Sequence, residues 1–179
     1  MNVKTPLRIS QFGLRGIVGP GLTPAHVLDF SAAFGTMLGA RSKVIIGRDP
    51  RASGQMIREG VASALMACGH DVIDLGVVST PVIQHTIAAT DARGGISIGA
   101  SHMATEWNAL KFFGEQGSYL STAEADELLD IYHLKGFDFA QWDKLGSYSR
   151  NDGGIDRYVA KLALDTSGSW WIAAMEPLR

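Results

Sequence analysis

The chain has 179 residues, 46% of them hydrophobic, a formal net charge of −2 and one cysteine. That length suits one domain, at about 100–200 residues each, and the near-neutral charge without a Lys/Arg block gives no electrostatic reason to expect nucleic acid or a membrane as partner. Cys68 alone allows no internal disulfide, Met1-Asn-Val-Lys-Thr-Pro6 lacks a secretory h-region, and no run reaches the roughly 18 apolar residues of a membrane span, so the expectation is a soluble cytoplasmic protein.

Strand-like and helical patterns then alternate. A β-rich run at about Pro6 to Gln11 is followed by a helix with Thr23 as N-cap, Pro24 at its first position, and Val27, Phe30, Phe34 and Leu38 at three- and four-residue spacing. Lys43 to Gly47 reads as a strand. A helix follows with Ser53 near its start, Ile57, Val61 and Leu65 on one stripe, and Gly69 placed to close it in a left-handed conformation. The strand Asp71 to Gly76 leads to a third helix, begun at Thr80-Pro81, and then to the strand Gly95 to Ala100. An extended run at Ala109 to Phe113 ends in the turn Gly114 to Gly117. Ser121-x-x-Glu124 is a capping box opening a helix to His133. Lys135 to Gly154 lacks periodicity and reads as an ordered surface crossing. A last helix spans Gly154 to Leu164, with Ile155, Tyr158, Val159 and Leu162 on one face. This alternation predicts an α/β domain: three α/β/α layers around a mixed, largely parallel sheet. Beyond it, the tail from Asp165 to Arg179 carries Trp170, Trp171, Ile172 and Met175, which dock either back on the domain or on something that follows.

Ligands of α/β sheets bind outside the carboxyl ends of the strands. Four loops are expected to converge there: Gly13-Leu-Arg-Gly16, Gly47-Arg-Asp-Pro-Arg-Ala-Ser-Gly54, Gly76-Val-Val-Ser-Thr-Pro81 and Gly99-Ala-Ser-His102. With Arg15, Arg48 and Arg51 as cations and glycine turns exposing N–H groups, this rim outlines an anion site. Asp49 paired with an arginine in a plain strand-to-helix turn is the structural alternative for the second loop. Arg15, a long cation between two glycines, is a poor structural choice unless it binds a carboxylate or phosphate. Ser101 caps the turn or is a reactive hydroxyl. A serine-hydrolase elbow, Gly-x-Ser-x-Gly, would need glycine where Met103 stands. The histidines 26, 70, 85, 102 and 133 lack zinc spacing, and neither Gly-x-x-x-x-Gly-Lys-Ser/Thr nor Gly-x-Gly-x-x-Gly follows a strand.

Gly99-Ala-Ser-His-Met-Ala-Thr-Glu-Trp-Asn-Ala-Leu-Lys-Phe-Phe113 resembles the phosphoserine loop of the α-D-phosphohexomutases, which reads Ala-Ser-His-Asn-Pro before a later Asn-x-x-Lys. Ala100, Ser101, His102, Asn108 and Lys111 match, while Met103 and Ala104 stand where the family has Asn-Pro. Gly13-Leu-Arg-Gly16, Gly47-Arg-Asp-x-Arg-x-Ser-Gly54 and Asp74-Leu-Gly with Thr80-Pro81 are similar to further family segments. The resemblance implies that residues 1–164 are the first of four domains and that 165–179 begin the next, so that the tail meets further domains or a partner protein. It implies a hexose phosphate substrate and a phosphoryl group carried on Ser101. His102 and Lys111 would transfer protons or touch phosphate, Arg15, Arg48 and Asn108 would form the substrate- or phosphate-binding set, and within it Asn108 would fix the loop. It implies Mg2+ as cofactor, held by the phosphate of Ser101 and by an Asp-Gly-Asp-x-Asp loop that this sequence does not contain. Mutase activity of the chain alone is then not expected. The alternative is a stand-alone domain that kept the fold for phosphate binding or protein interaction.

Overall fold

The computed structural model describes residues 7–166. It contains one seven-stranded sheet: β1 (Arg8–Ser10), β2 (Gly13–Ile17), β3 (Lys43–Arg48), β4 (Asp71–Val77), β5 (Ala92–Ile98), β6 (Trp107–Gly114) and β7 (Tyr148–Arg150). Five helices pack on it: α1 (Pro24–Leu38), α2 (Gly54–Ala67), α3 (Thr80–Ala88), α4 (Thr122–Leu134) and α5 (Gly154–Thr166). The strand order is β1-β2-β6-β5-β3-β4-β7. From β5 through β3 and β4 to β7 the pairing is parallel, and from β1 through β2 and β6 to β5 it is antiparallel.

Successive strand residues face opposite layers, and the apolar sequence obeys that period of two. Val44 and Ile46 of β3 join a core with Phe30 and Phe34 of α1, Ile57 and Leu65 of α2, and Leu128 of α4. Ile45, between them, turns to the other layer and meets Val82, Ile83 and Ile87 of α3, with Tyr158 of α5 against it. The predicted three-layer α/β/α architecture is thus present. Both sides of β3 are buried, as a parallel strand requires.

The helix starts follow local chemistry. The hydroxyl of Thr23 accepts the N–H of His26 at 3.3 Å, and His26 Nδ1 accepts the N–H of Thr23 at 3.2 Å, a reciprocal cap with histidine in the third helical position. Ser121 and Glu124 form the expected capping box, Ser121 N–H donating to Glu124 Oε2 at 2.7 Å. Ser53 and Thr80 depart from expectation. Ser53 makes no cap bond, because its hydroxyl accepts from Asn108 Nδ2 at 2.9 Å. At α3 the N-cap is Ser79, and the hydroxyl of Thr80 pairs with that of Ser97 at 3.2 Å.

Two strands were not expected. Gly13–Ile17 is β2, paired with β6, not a loop. Its glycines serve close approach: a Cβ on Gly13, which has φ +124°, would collide with the carbonyl oxygen of Leu110. β7 lies inside the Lys135–Gly154 crossing. It is held by Tyr148, whose hydroxyl donates to the buried Asp74 Oδ2 at 2.7 Å and accepts from Arg58 Nη1 at 2.7 Å. Burial and the Asp74 carboxylate push the Tyr148 phenol above its ordinary pKa. The last helix forms where expected, though Ile155 and Val159 remain exposed. Residues 167–179, with the Trp170-Trp171 pair and most of the expected tail, lie outside the described residues.

Candidate active site

The sheet changes winding direction between β5 and β3. From β3 the chain passes through α2 on one face to β4, then through α3 on the other face back to β5. The crevice outside the ends of these two strands is the usual ligand position in such sheets. The β3–α2 turn brings Asp49 and Arg51 there, and the connection after β5 brings Ser101.

Register decides which side chains share a face. Directly opposite residues on paired strands point the same way, so Arg15 lies beside Ala109, and Lys111, two residues further along β6, lies beside Ser97. Leu14, Leu110 and Phe112 alternate with these into the α1/α2 core. Arg15, Lys111 and Ser97 therefore share the α3-side face of the sheet.

Two clefts open at this edge. One, of about 620 Å³, is bounded by Asp49, Arg51, Ser79, Thr80, Ser97 and Met103; the other, of about 400 Å³, by Phe12, Arg15, His102 and Tyr119. Gly99, Ser101 and Lys111 line both, which places Ser101 on the ridge between them. Ser101 is exposed and has φ +54°, a left-handed conformation unusual for a residue with a Cβ. Such conformations cost about 1–3 kcal/mol, persist where surrounding structure over-determines them, and cluster at functional sites. Its surroundings supply the constraint. Arg51 donates to the carbonyl oxygens of Ser101 (3.0 Å), Met103 (2.7 Å) and Ala104 (2.6 Å), and Asp49 Oδ2 accepts the N–H of Ala100 at 3.3 Å.

The expected site residues divide. Ser101, His102, Lys111 and Arg15 come together, although Arg15 arrives on a strand. None of the side chains of Arg15, His102 and Lys111 has a hydrogen-bond or ion-pair partner among the described residues. Arg8 lies opposite Arg15 in the β1–β2 ladder, and two like charges so placed favour an anion beside them.

Arg48 and Asn108 line neither cleft. Arg48 turns toward the start of α2 and donates to the carbonyl oxygen of Asp49 at 3.2 Å. Asn108 is fully buried. Its amide ties β6 to Ser53, and its Oδ1 accepts the N–H of Ala109 at 2.8 Å. In this structure both make framing contacts, and for Asn108 that is the loop-fixing position the resemblance implies. Arg51 is the residue that sequence reasoning ranked too low. Its conspicuous signal, a second arginine in Arg48-Asp-Pro-Arg51, was legible, but its partners lie some fifty residues away.

Among the described residues no group of three or more His, Cys, Asp or Glu is arranged to hold a metal ion. Asp49, the carboxylate nearest the serine loop in these contacts, is engaged by Arg51 and by backbone N–H groups. Nor is any helix among the described residues long and apolar enough to cross a membrane.

Comparison with known proteins agrees with this geometry. A family model described as phosphoglucomutase/phosphomannomutase, alpha/beta/alpha domain I, matches residues 8–138. A phosphoglucosamine/phosphogalactosamine mutase of Sulfurisphaera tokodaii is 35% identical over 148 residues, covering 82% of this chain and 32% of that protein. A phosphoglucosamine mutase of Streptomyces coelicolor is 35% identical over 164 residues, 84% of this chain and 36% of that one. The chain thus spans about a third of the length of these relatives. A solved phosphoglucomutase/phosphomannomutase family protein of Burkholderia thailandensis superimposes with a TM-score of 0.76 at 26% identity, over 88% of this chain and 36% of that one. With a domain I family model matching residues 8–138 and a relative 35% identical over 82% of this chain, the chain belongs to the phosphoglucomutase/phosphomannomutase family.

Proposed function

We infer that this chain supplies the phosphoryl-carrying serine of a phosphohexomutase, which moves a phosphoryl group between the 1- and 6-positions of a hexose phosphate through a phosphoserine and a hexose bisphosphate. The observation that carries this reading is the position of Ser101. It stands on a ridge between two clefts, with Lys111 in both, Arg15 and His102 in one, and none of the three ion-paired among the described residues. Phosphoryl transfer depends on positioning and charge stabilisation more than on covalent activation of the nucleophile.

In the loading step the oxygen of Ser101 forms a bond to phosphorus as the sugar oxygen–phosphorus bond breaks. The serine gives up its proton and the departing sugar oxygen gains one. We assign that exchange to His102 and Lys111, which line a cleft with Ser101, and the charge on the phosphoryl oxygens to Arg15 and Lys111. The return step runs the same sequence backwards onto the other sugar hydroxyl.

Magnesium, when bound, would neutralise phosphoryl charge. Among the described residues a phosphorylated Ser101 is the group that would hold it, since Asp49 is already committed, no carboxylate cluster is present there, and no Asp-Gly-Asp-x-Asp occurs in these 179 residues. No step is therefore derived through it. For the same reason these residues alone are proposed to be inactive, or nearly so, in the complete mutase cycle.

An NMR titration of the 179-residue chain with glucose 1,6-bisphosphate tests the reading. Shifts centred on Arg15, Ser101, His102 and Lys111, weakened in Arg15→Ala and Lys111→Ala, are expected. Shifts elsewhere on the surface, or unchanged binding in both variants, overturn it.

A further inference from the structure

Arg51 occupies the β3–α2 turn with its side chain only 12% exposed. Its donors are committed to the protein. Nε donates to Asp49 Oδ2 at 2.9 Å, Nη1 to the carbonyl oxygen of Ala104, and Nη2 to those of Met103 and Ser101. One planar fork thus gathers three carbonyls from a four-residue stretch, a geometry that a lysine ammonium cannot copy while also pairing with a carboxylate. Asp49 closes the arrangement from the other side, accepting the N–H groups of Arg51 at 3.1 Å and Ala100 at 3.3 Å. Gly99 admits that carboxylate: a Cβ there would lie 2.7 Å from Asp49 Oδ2.

The side chains of Met103 and Ala104 contribute no hydrogen bond to their own loop. Inside it the backbone makes two turn bonds, Met103 N–H to the carbonyl of Ala100 and Trp107 N–H to that of Ala104. The order of the loop therefore comes largely from outside, from the turn after β3. We propose that Arg51, supported by Asp49, is the positioning residue that holds Ser101 in its left-handed backbone and so presents the hydroxyl on the ridge between the clefts. Arg51 lines the first cleft, yet its role is to fix the loop and not to bind phosphate. That the loop is held serves phosphoryl transfer only if the phosphoserine reading is correct; the holding itself is independent of it.

Amide hydrogen exchange, read by NMR in the whole 179-residue chain, tests this in Arg51→Met, Arg51→Lys and Asp49→Asn. In Arg51→Met the amides of Met103 and Trp107 are expected to exchange about ten-fold faster or more, with the Phe112 amide in β6 unchanged. Arg51→Lys restores little of the protection. Asp49→Asn, which keeps the shape of the turn, gives an intermediate loss and decides the matter if Arg51→Met does not fold. Unchanged loop exchange in the folded variants, or wild-type protection in Arg51→Lys, overturns the proposal. With hexose 1,6-bisphosphate as donor, Arg51→Lys should slow phosphoryl uptake about ten-fold at saturation without raising the half-saturating donor concentration. A wild-type chain that takes up no phosphoryl group sinks the phosphoserine reading alone, and the exchange measurement still decides the positioning role.

Discussion

Asn108→Ala separates a framing residue from a ligand contact. The side chain of Asn108 is fully buried, donates to Ser53 Oγ at 2.9 Å and accepts the buried N–H of Ala109 at 2.8 Å. Two hydrogen bonds at about 1 kcal/mol each are lost, and the stranded Ala109 N–H adds about 1–3 kcal/mol of desolvation, partly overlapping the first figure. The expected destabilisation is therefore roughly 2–4 kcal/mol in urea unfolding. Ser53→Ala removes one of the two bonds and should cost about 1 kcal/mol. The double variant should cost less than the sum of the singles by about 1 kcal/mol, since both remove the same bond. Binding of glucose 1,6-bisphosphate by the folded fraction should remain. An Asn108→Ala chain within about 0.5 kcal/mol of the parent, with its bisphosphate binding lost, would refute this reasoning and return Asn108 to the binding site.

The Asp71 carboxylate is held down from its ordinary 3.8 to about 2, first by the hydrogen bonds from Arg41 and then by those from Ser147. A depressed carboxylate contributes stability above its unfolded pKa and loses it as pH falls through the folded one, so the advantage of the parent over Asp71→Asn should shrink between about pH 4 and pH 2; urea midpoints across that range check it, and a constant gap contradicts it. Burial pushes the Cys68 thiol up from 9.0 to about 11, which leaves about 100-fold less thiolate at pH 8 than an unshifted thiol has. Because a thiolate of higher pKa is also the stronger nucleophile, reaction with a thiol-reactive disulfide should be slower by about ten-fold in the native chain and normal in urea. Gly99→Ala should displace Asp49, weaken its bond to the Ala100 N–H and cost about 1–3 kcal/mol; a neutral substitution would mean that the carboxylate has room to move.

The parts of the fold written in local chemistry were legible. Thr23-Pro24 and Ser121-x-x-Glu124 fix helix starts within four residues, and the alternating burial of Val44, Ile45 and Ile46 follows from a period of two. What escaped depends on distant partners. Gly13 and Gly16 suggest a loop until β6 is beside them, where Gly13 abuts Leu110 and Gly16 abuts Leu22. β7 has three residues and no signal of its own, and is a strand because Tyr148 docks on Asp74 and Arg58. At the site, Ser101, His102, Lys111 and Arg15 were legible through their motifs. Motif alone could not say that Asn108 faces inward, one residue out of phase with the face that carries Ala109 and Lys111. It could not say either that Arg51, and not Arg48, reaches the serine loop.

The most direct test of the phosphoryl-carrier role is intact mass and peptide mapping of the 179-residue chain after incubation with glucose 1,6-bisphosphate and magnesium, with Ser101→Ala as control. The expected result is a gain of about 80 Da, one phosphoryl group, located on Ser101 and missing from the variant. An unmodified chain under excess donor, or phosphate on another residue and equally present in Ser101→Ala, would contradict it.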